Sequence, residues 1–482
     1  MDNVKRNIPR LVVGAPCGRS GKTTVTLGLL AALKSRGLSV QPFKKGPDFI
    51  DPSWMTMVTG RACRNLDGFM MTGEMILDSF VKNAAGSDIG VVEGAMGLFD
   101  GGDIDGSGST AEIAKAISAP VLLVVDTTRM TRSVAPLVRG FMHFDPEITI
   151  AGVILNKVAR PRHESMLRQA IERYCGIPVL GVIPKGRQFT IPDRHLGLIP
   201  AAERDELMSS VEEIGRAAVH LFDMKKVMEV AGSAPPLALP GDERAFHPPR
   251  PDNGSEKPVI GLFRDRAFTF YYPENIEALE AAGASLVYID SLNDRVLPNI
   301  DALYIGGGFP EVFAAELEGN DSLRRAVNNS VEAGLPVYAE CGGLMYLARN
   351  LVWKDRKYRM ACCLPFDVVM SDRPQGHGYE VVEVCSDNPF FSPGMVIKCH
   401  EFHHSRVENI DEKEVSFAFR VARGWGIDGN RDGAVYKNVL ACYSHIHARS
   451  CPEWAREMVK RAMEFRERLK IRNPESRSQN PE

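Results

Sequence analysis

Short, almost uninterrupted runs of Val, Ile and Leu recur along this chain, at residues 10–15, 89–93, 120–126, 148–158, 178–184, 257–263, 302–305 and 336–339. They restrict the fold more than any other feature. A strand that faces water on one side alternates apolar with polar residues, whereas these are apolar on both. Separated by helical stretches, they mark parallel sheets covered on both faces. A chain of 482 residues exceeds what one hydrophobic core usually organises, so the expectation is two doubly wound, mainly parallel α/β domains. The boundary is expected in a Pro-, Gly- and Ser-rich stretch. The resulting division is a first domain over 8–225, a linker over 226–256, a second domain over 257–452, and a C-terminal helix and polar tail over 453–482.

The first run leads into Pro16-Cys-Gly-Arg-Ser-Gly-Lys-Thr-Thr24 and then an apolar helical stretch. Strand, glycine-rich loop ending Gly-Lys-Thr, helix is the context a P-loop requires. Pro16 occupies the place of the first glycine of the simplest pattern, with Gly14 and Gly18 on either side. Backbone N–H groups around Gly18, Ser20, Gly21 and Thr24 would cradle phosphates, Lys22 would reach the terminal ones, and the Thr23 hydroxyl would ligate Mg²⁺. Next, a strand over 40–45 ends in a loop with Lys44, Lys45, Asp48 and Asp51. Lysines there suit an anionic substrate and aspartates suit Mg²⁺, although the same composition suits a solvated turn. The run at 89–93 delivers Glu93 at its carboxyl end, where ligands gather in open α/β sheets, with Asp100 in the loop beyond. Glu93 is the expected acidic partner of Mg²⁺. The Gly-, Asp- and Ser-rich residues 101–110 read as a loop able to close over substrate, or merely as a flexible connection. Asn156 and Lys157, at another strand end, suit either contact with a nucleotide base or a polar exit from the strand.

In the second half, residues 335–346 read as a buried strand, a sharp break at Glu340-Cys-Gly-Gly343, and the start of a helix. A nucleophilic side chain at a strand–turn–helix junction is the nucleophile-elbow arrangement, and the helix start favours negative charge on it. Cys341 is the candidate nucleophile. Gly306-Gly-Gly308 suits either backbone donation to an oxyanion or a tight turn before a helix. Six of the eleven histidines lie beyond the elbow: His377, His400, His403, His404, His445 and His447. One of His445 and His447 is the expected base for a cysteine nucleophile. Cys399, His400, His403 and His404 have the atoms for a metal site, but their spacing fits no standard zinc pattern.

Composition removes some classes of function. The net charge is −3, which gives no dedicated nucleic-acid surface. No apolar run approaches the roughly 18 residues needed to span a bilayer. Ten scattered cysteines and the lack of a signal-peptide core lead to the expectation of a cytoplasmic chain. Its expected partners are small molecules, with no nucleic acid and no membrane, and a homodimer is compatible with this.

Taken together, several strings resemble the glutamine-hydrolysing cobyrinate a,c-diamide synthases. They are Gln41-Pro-Phe-Lys44 with Gly46-Pro-Asp-Phe-Ile-Asp51, Asn65-Leu-Asp67, Val92-Glu-Gly-Ala-Met-Gly-Leu-Phe-Asp100, Ala339-Glu-Cys-Gly-Gly-Leu-Met-Tyr346, His400-Glu-Phe-His-His-Ser-Arg406 and Tyr443-Ser-His-Ile-His447. The resemblance implies a dethiobiotin-synthetase-like ATP-binding domain joined to a class I glutamine amidotransferase domain. It implies a ligase that uses Mg²⁺, ATP and glutamine to amidate the a- and c-acetates of a corrin-type tetrapyrrole through an acyl phosphate. Cys341 would be the glutaminase nucleophile, His445 its base, and Gly308 with Gly342 the oxyanion-hole donors. His447 stands where many related glutaminases carry the triad glutamate, which leaves the third member open. Lys44, Asp48, Asp51 and Asp100 would serve the acyl-phosphate site, Thr23, Glu93 and Asp48 the Mg²⁺, and Asn156 the nucleotide. The resemblance is shared by enzymes acting on nickel sirohydrochlorin and sirohaem. Outside the enzymes, a P-loop metallochaperone and a tetrapyrrole sensor fit parts of the pattern.

Overall fold

The computed structural model describes residues 5–186, 193–194, 197–198, 215–216, 218–238 and 256–472. The chain divides into two compact units, residues 1–245 and 246–482. The end of the first expected domain, where residues 203–222 carry a helical pattern, and the expected C-terminal tail fall largely outside the described residues.

The first unit is built on a seven-stranded sheet in the order Arg64–Leu66, Val40–Lys45, Ile89–Glu93, Arg10–Gly14, Val121–Asp126, Ile150–Val158, Val179–Pro184. Every pairing in it is parallel. The chain order reverses around Arg10–Gly14, whose carboxyl end runs into the glycine-rich loop and the helix Lys22–Ser35. That is the topological switch point at which such sheets bind ligands. The proline-rich stretch proves narrower than its composition suggests. Met224–Gly232 is a helix, and Leu237–Ala238 pairs antiparallel with Lys5–Arg6. The buried guanidinium of Arg10 donates to the carbonyls of Ile8, Ile117, Ser118 and Pro235, which ties residue 235 to the base of the central strand. Residues 226–238, expected in a linker, therefore belong to the first unit.

The second unit holds a nine-stranded sheet, ordered Ser285–Ile289, Val259–Phe263, Ala302–Ile305, Val337–Glu340, Val439–Cys442, Arg431–Tyr436, Ser416–Arg423, Gly376–Val384, Val396–His403. The first five strands are parallel and the remaining pairings antiparallel. Successive side chains of a strand point to opposite faces. Leu303, Ile305, Val337, Ala339, Val439 and Ala441 pack into one core with the helix Asp321–Glu332. Ala302, Tyr304, Tyr338, Leu440 and Cys442 pack into another with Pro273–Ala281 and Glu453–Arg472. Two cores on one sheet explain why its central parallel strands carry apolar residues on both faces. No described helix is long and apolar enough to cross a membrane.

Candidate active sites

In the first unit, the glycine-rich loop, the 46–51 loop and the end of Ile89–Glu93 converge. Gly21 sits at φ 87°, and a Cβ there would lie 2.2 Å from the Asn156 carboxamide nitrogen. Glycine is therefore required both by its left-handed backbone and by that contact. Asn156 donates from Nδ2 to the Ser20 carbonyl at 2.9 Å. This side chain braces the phosphate loop from behind instead of reaching outward. Ser20 also turns inward, its Oγ donating to the Cys17 carbonyl at 2.9 Å. Lys22 donates to the carbonyls of Met96 (2.5 Å) and Cys17 (3.3 Å). Burial, followed by the charge of Lys44, holds Lys22 below an ordinary lysine.

Lys44 is the centre of the charge cluster. It is buried, and its Nζ lies 2.5 Å from Asp51, 2.8 Å from Glu93 and 3.6 Å from Asp48. Burial opposes its charge, yet the three carboxylates outweigh burial and keep it protonated well above the usual lysine range. Burial also raises Asp48, with Asp51 adding to it, to about 7. Burial would raise Asp51 as well, but the contact with Lys44 wins and lowers it. Glu93 is raised, chiefly by burial. The Thr23 hydroxyl donates to Glu93 at 2.7 Å and lies 3.3 Å from Asp51.

These residues fit Mg²⁺. The donors are hard oxygens, and Glu93 Oε2 is buried without a hydrogen-bond partner among the described residues. No group of three or more His, Cys, Asp or Glu side chains poised to hold a metal occurs among the described residues. Asp51 stands nearer to Thr23 than Asp48 does. Asp48 Oδ1 accepts the backbone N–H groups of Ile50 and Asp51 and so shapes the loop. Asp100 is exposed, and its Oδ2 accepts the Gly97 N–H at 2.9 Å. Residues 101–110 are tied by Gly102 N–H to the Ser107 carbonyl and, to the helix that follows, by Gly108 N–H to Glu112. Asn65, which the sequence offered only within a resembling string and without a role, donates from Nδ2 to the carbonyls of Gly46 and Asp48 and so sets the loop carrying both aspartates.

In the second unit, Cys341 has φ 48° and ψ −99°, between the strand Val337–Glu340 and the helix Gly342–Leu347. A β-carbon residue at positive φ is strained, and a sharp turn of this kind lifts a nucleophile off the sheet. The strand pairing continues through Cys341 N–H to the Cys442 carbonyl at 2.7 Å. A Cβ on Gly342 would lie 3.0 Å from the Gly308 nitrogen, so the elbow packs directly on the 306–308 turn. The first amides of a helix have no partner within it. Gly342 thus adjoins Gly308 with its N–H outside the helical ladder. A Cβ on Gly307 would meet His445 Cε1 at 2.6 Å, which makes that glycine the space the imidazole needs.

His445 is buried just beyond Val439–Cys442 and is held by paired backbone bonds with His400. Its ring stacks on that of His400 at 4.9 Å. Burial alone would lower His445, but its interactions with the neighbouring Cys341 and Glu340 outweigh it and raise the imidazolium to about 10. His400 is held well below an ordinary histidine by burial and by His445, so it is neutral. His403 faces elsewhere, stacked on Tyr443 at 3.6 Å with Nε2 3.3 Å from Glu401. His377 stacks edge-on with Phe402. Cys399 lies by Glu380. Cys399, His400 and His403 therefore each have separate neighbours. His447 lies 3.6 Å from Glu274, with its ring against Tyr272.

The chemistry of these two constellations agrees with what the chain matches. Residues 11–199 match the family described as a CobQ/CobB/MinD/ParA nucleotide binding domain, and residues 259–452 that described as a CobB/CobQ-like glutamine amidotransferase domain. The chain is 48% identical over 448 residues to the cobyrinate a,c-diamide synthase of Magnetococcus marinus, covering 93% of this chain and 96% of that one. It is 42% identical over 458 residues to that of Archaeoglobus fulgidus, covering 95% and 98%. The chain belongs to the cobyrinate a,c-diamide synthase family. As a member of that family it is a glutamine-dependent ligase with a nucleotide-binding domain. Both site clusters fall within the segments that carry these two matches.

Proposed function

We propose that the protein amidates the a- and c-acetate carboxylates of a corrin-type tetrapyrrole, converting cobyrinate to its a,c-diamide with ATP and with ammonia from glutamine. The observation that carries this reading is Lys44, buried among three carboxylates, two of which also meet the P-loop threonine. A P-loop alone serves any nucleotide-dependent reaction. A buried cation beside it suits a second anion brought up to the γ-phosphate, which is what phosphorylating a carboxylate requires.

The substrate acetate oxygen attacks the γ-phosphorus, the bond to ADP breaks, and an acyl phosphate forms. Lys22 leaves the Met96 carbonyl for the phosphates, while Lys44 offsets the charge gathered by phosphate and acetate. Thr23, Glu93 and Asp51 would hold Mg²⁺, which supplies electrostatic neutralisation of the phosphates. Asp48 and Asn65 keep the loop in place, and Asn156 holds the phosphate loop in shape. In the second unit, Cys341 Sγ attacks the glutamine carboxamide carbon. His445 holds the proton that Cys341 gives up and delivers it to the departing ammonia, while Gly308 and Gly342 N–H groups stabilise the oxyanion. Water then releases glutamate from the thioester. Ammonia attacks the acyl phosphate, and phosphate leaves.

The test incubates the protein with ATP, Mg²⁺ and glutamine against cobyrinate, hydrogenobyrinate, nickel sirohydrochlorin and sirohaem. Mass spectrometry follows replacement of carboxyl OH by NH₂. Two successive replacements on cobyrinate are expected. Conversion of only nickel sirohydrochlorin or sirohaem would move the substrate to that macrocycle, and conversion of none would remove the reading.

A further inference from the structure

Glu340 ends the strand that carries Cys341, and no family pattern used above gives it a part. We propose that Glu340 is the positioning acid of the glutaminase, orienting His445 toward Cys341, and that His447 belongs to a separate pair with Glu274. This rests on Cys341 and His445 being nucleophile and base.

The strand period places Glu340 on the same face as Tyr338, while Ala339 points to the other core. Its carboxylate is buried and fixed by three donors. Tyr338 Oη donates to Oε1 at 3.1 Å, Ile446 N–H to Oε1 at 3.2 Å, and Tyr304 Oη to Oε2 at 3.1 Å. Oε2 then lies 3.5 Å from His445 Nδ1. A carboxylate at Nδ1 fixes the tautomer and ring plane, leaving Nε2 to exchange a proton with sulfur. Ile446 N–H on the same carboxylate fastens the backbone next to His445. The acid is thus in register with both partners, being covalently beside one and hydrogen-bonded to the neighbour of the other. His447, by contrast, accepts the Arg449 N–H on Nδ1 at 3.2 Å and points Nε2 toward Glu274 at 3.6 Å.

The proton leaving Cys341 resides on His445 while sulfur bonds to carbon, and it departs with ammonia when the carbon–nitrogen bond breaks. The carboxylate orients the imidazole that delivers this proton to the leaving group, so its effect is expected on kcat and not on glutamine binding.

The test uses the full chain and two readouts, glutamate released from glutamine and amidation of cobyrinate with ammonium chloride. In Glu340→Gln, glutaminase kcat is expected to fall at least about 100-fold with KM within about threefold. The alkaline limb of its pH profile should move to lower pH, because the imidazolium has lost its counter-charge. Glu340→Asp should recover part of the rate, ammonium-dependent amidation should persist, and His447→Asn should stay within about threefold of the parent in both assays. Glutaminase activity near parental in Glu340→Gln, loss confined to His447→Asn, or loss of ammonium-dependent activity together with the glutaminase in Glu340→Gln would each overturn the assignment. Glutamate release by Cys341→Ala would instead sink the reading beneath it.

Discussion

The two sites solve opposite electrostatic problems. Around Lys44 the protein gathers more negative charge than its one buried cation offsets. That imbalance is tolerable where a divalent metal ion, brought in with the nucleotide, completes the cluster. Around Cys341 the protein sets one imidazole against a thiol and a carboxylate of its own, and the stored element is a strained backbone at φ 48°. The first site waits for its ligands to supply counter-charge, whereas the second is assembled before glutamine arrives. A ligase that must couple nucleotide, acid and ammonia gains from having one site incomplete until its substrates bind.

Variants that separate the two sites test this contrast. Cys341→Ala should lower glutamine-dependent amidation by at least about 10,000-fold while sparing amidation with ammonium. Equal loss in both assays would mean that the sites are not independent. Lys44→Ala should do the reverse, abolishing amidation from either nitrogen source while glutamate release persists. It leaves three buried carboxylates without a cation and should lower stability by about 3–5 kcal/mol, recovered in part by Mg²⁺ with nucleotide in thermal melts. Gly307→Ala drives a methyl group into His445 and should reduce glutaminase turnover by about 10- to 100-fold, with ammonium-dependent activity unchanged.

The smallest expected effects are in stability against pH. Asp48 is raised from 3.8 to about 7, so its protonated form contributes stability that is complete below 3.8 and lost as pH rises through 7. His445 is raised from 6.5 to about 10, so its contribution is complete below 6.5 and lost as pH rises through 10. Asp48→Asn should flatten the fall in Tm over the first window and His445→Asn over the second, each by a few degrees. A variant that flattens the other site's window would break the comparison.

Much of this was legible because it is local. The phosphate loop and the Cys341 elbow each lie within about a dozen consecutive residues, and strand, turn and helix preferences there point the same way. The roles of Asp48 and Asp51 were not separable, since spacing does not reveal which carboxylate oxygen the backbone takes up. Asn156 at a strand end reads equally as a base contact, and only the packing of Gly21 shows it turned to the phosphate loop. The antiparallel half of the second sheet was missed because Gly376–Val384 and Val396–His403 mix buried with exposed positions and lack the apolar runs that marked the parallel strands. Glu340 was hidden by distance along the chain. Nothing in the sequence near the nucleophile tells which histidine lies against it.

The central claim, that the Lys44 cluster activates a carboxylate as its phosphate, has a direct isotopic test. Cobyrinate enriched in ¹⁸O at its acetate carboxyls is converted with ATP, Mg²⁺ and glutamine, and the released nucleotide and phosphate are analysed by mass. One labelled oxygen in inorganic phosphate for each amide formed, with ADP unlabelled, is the predicted result. Label in AMP, or in neither product, would contradict it.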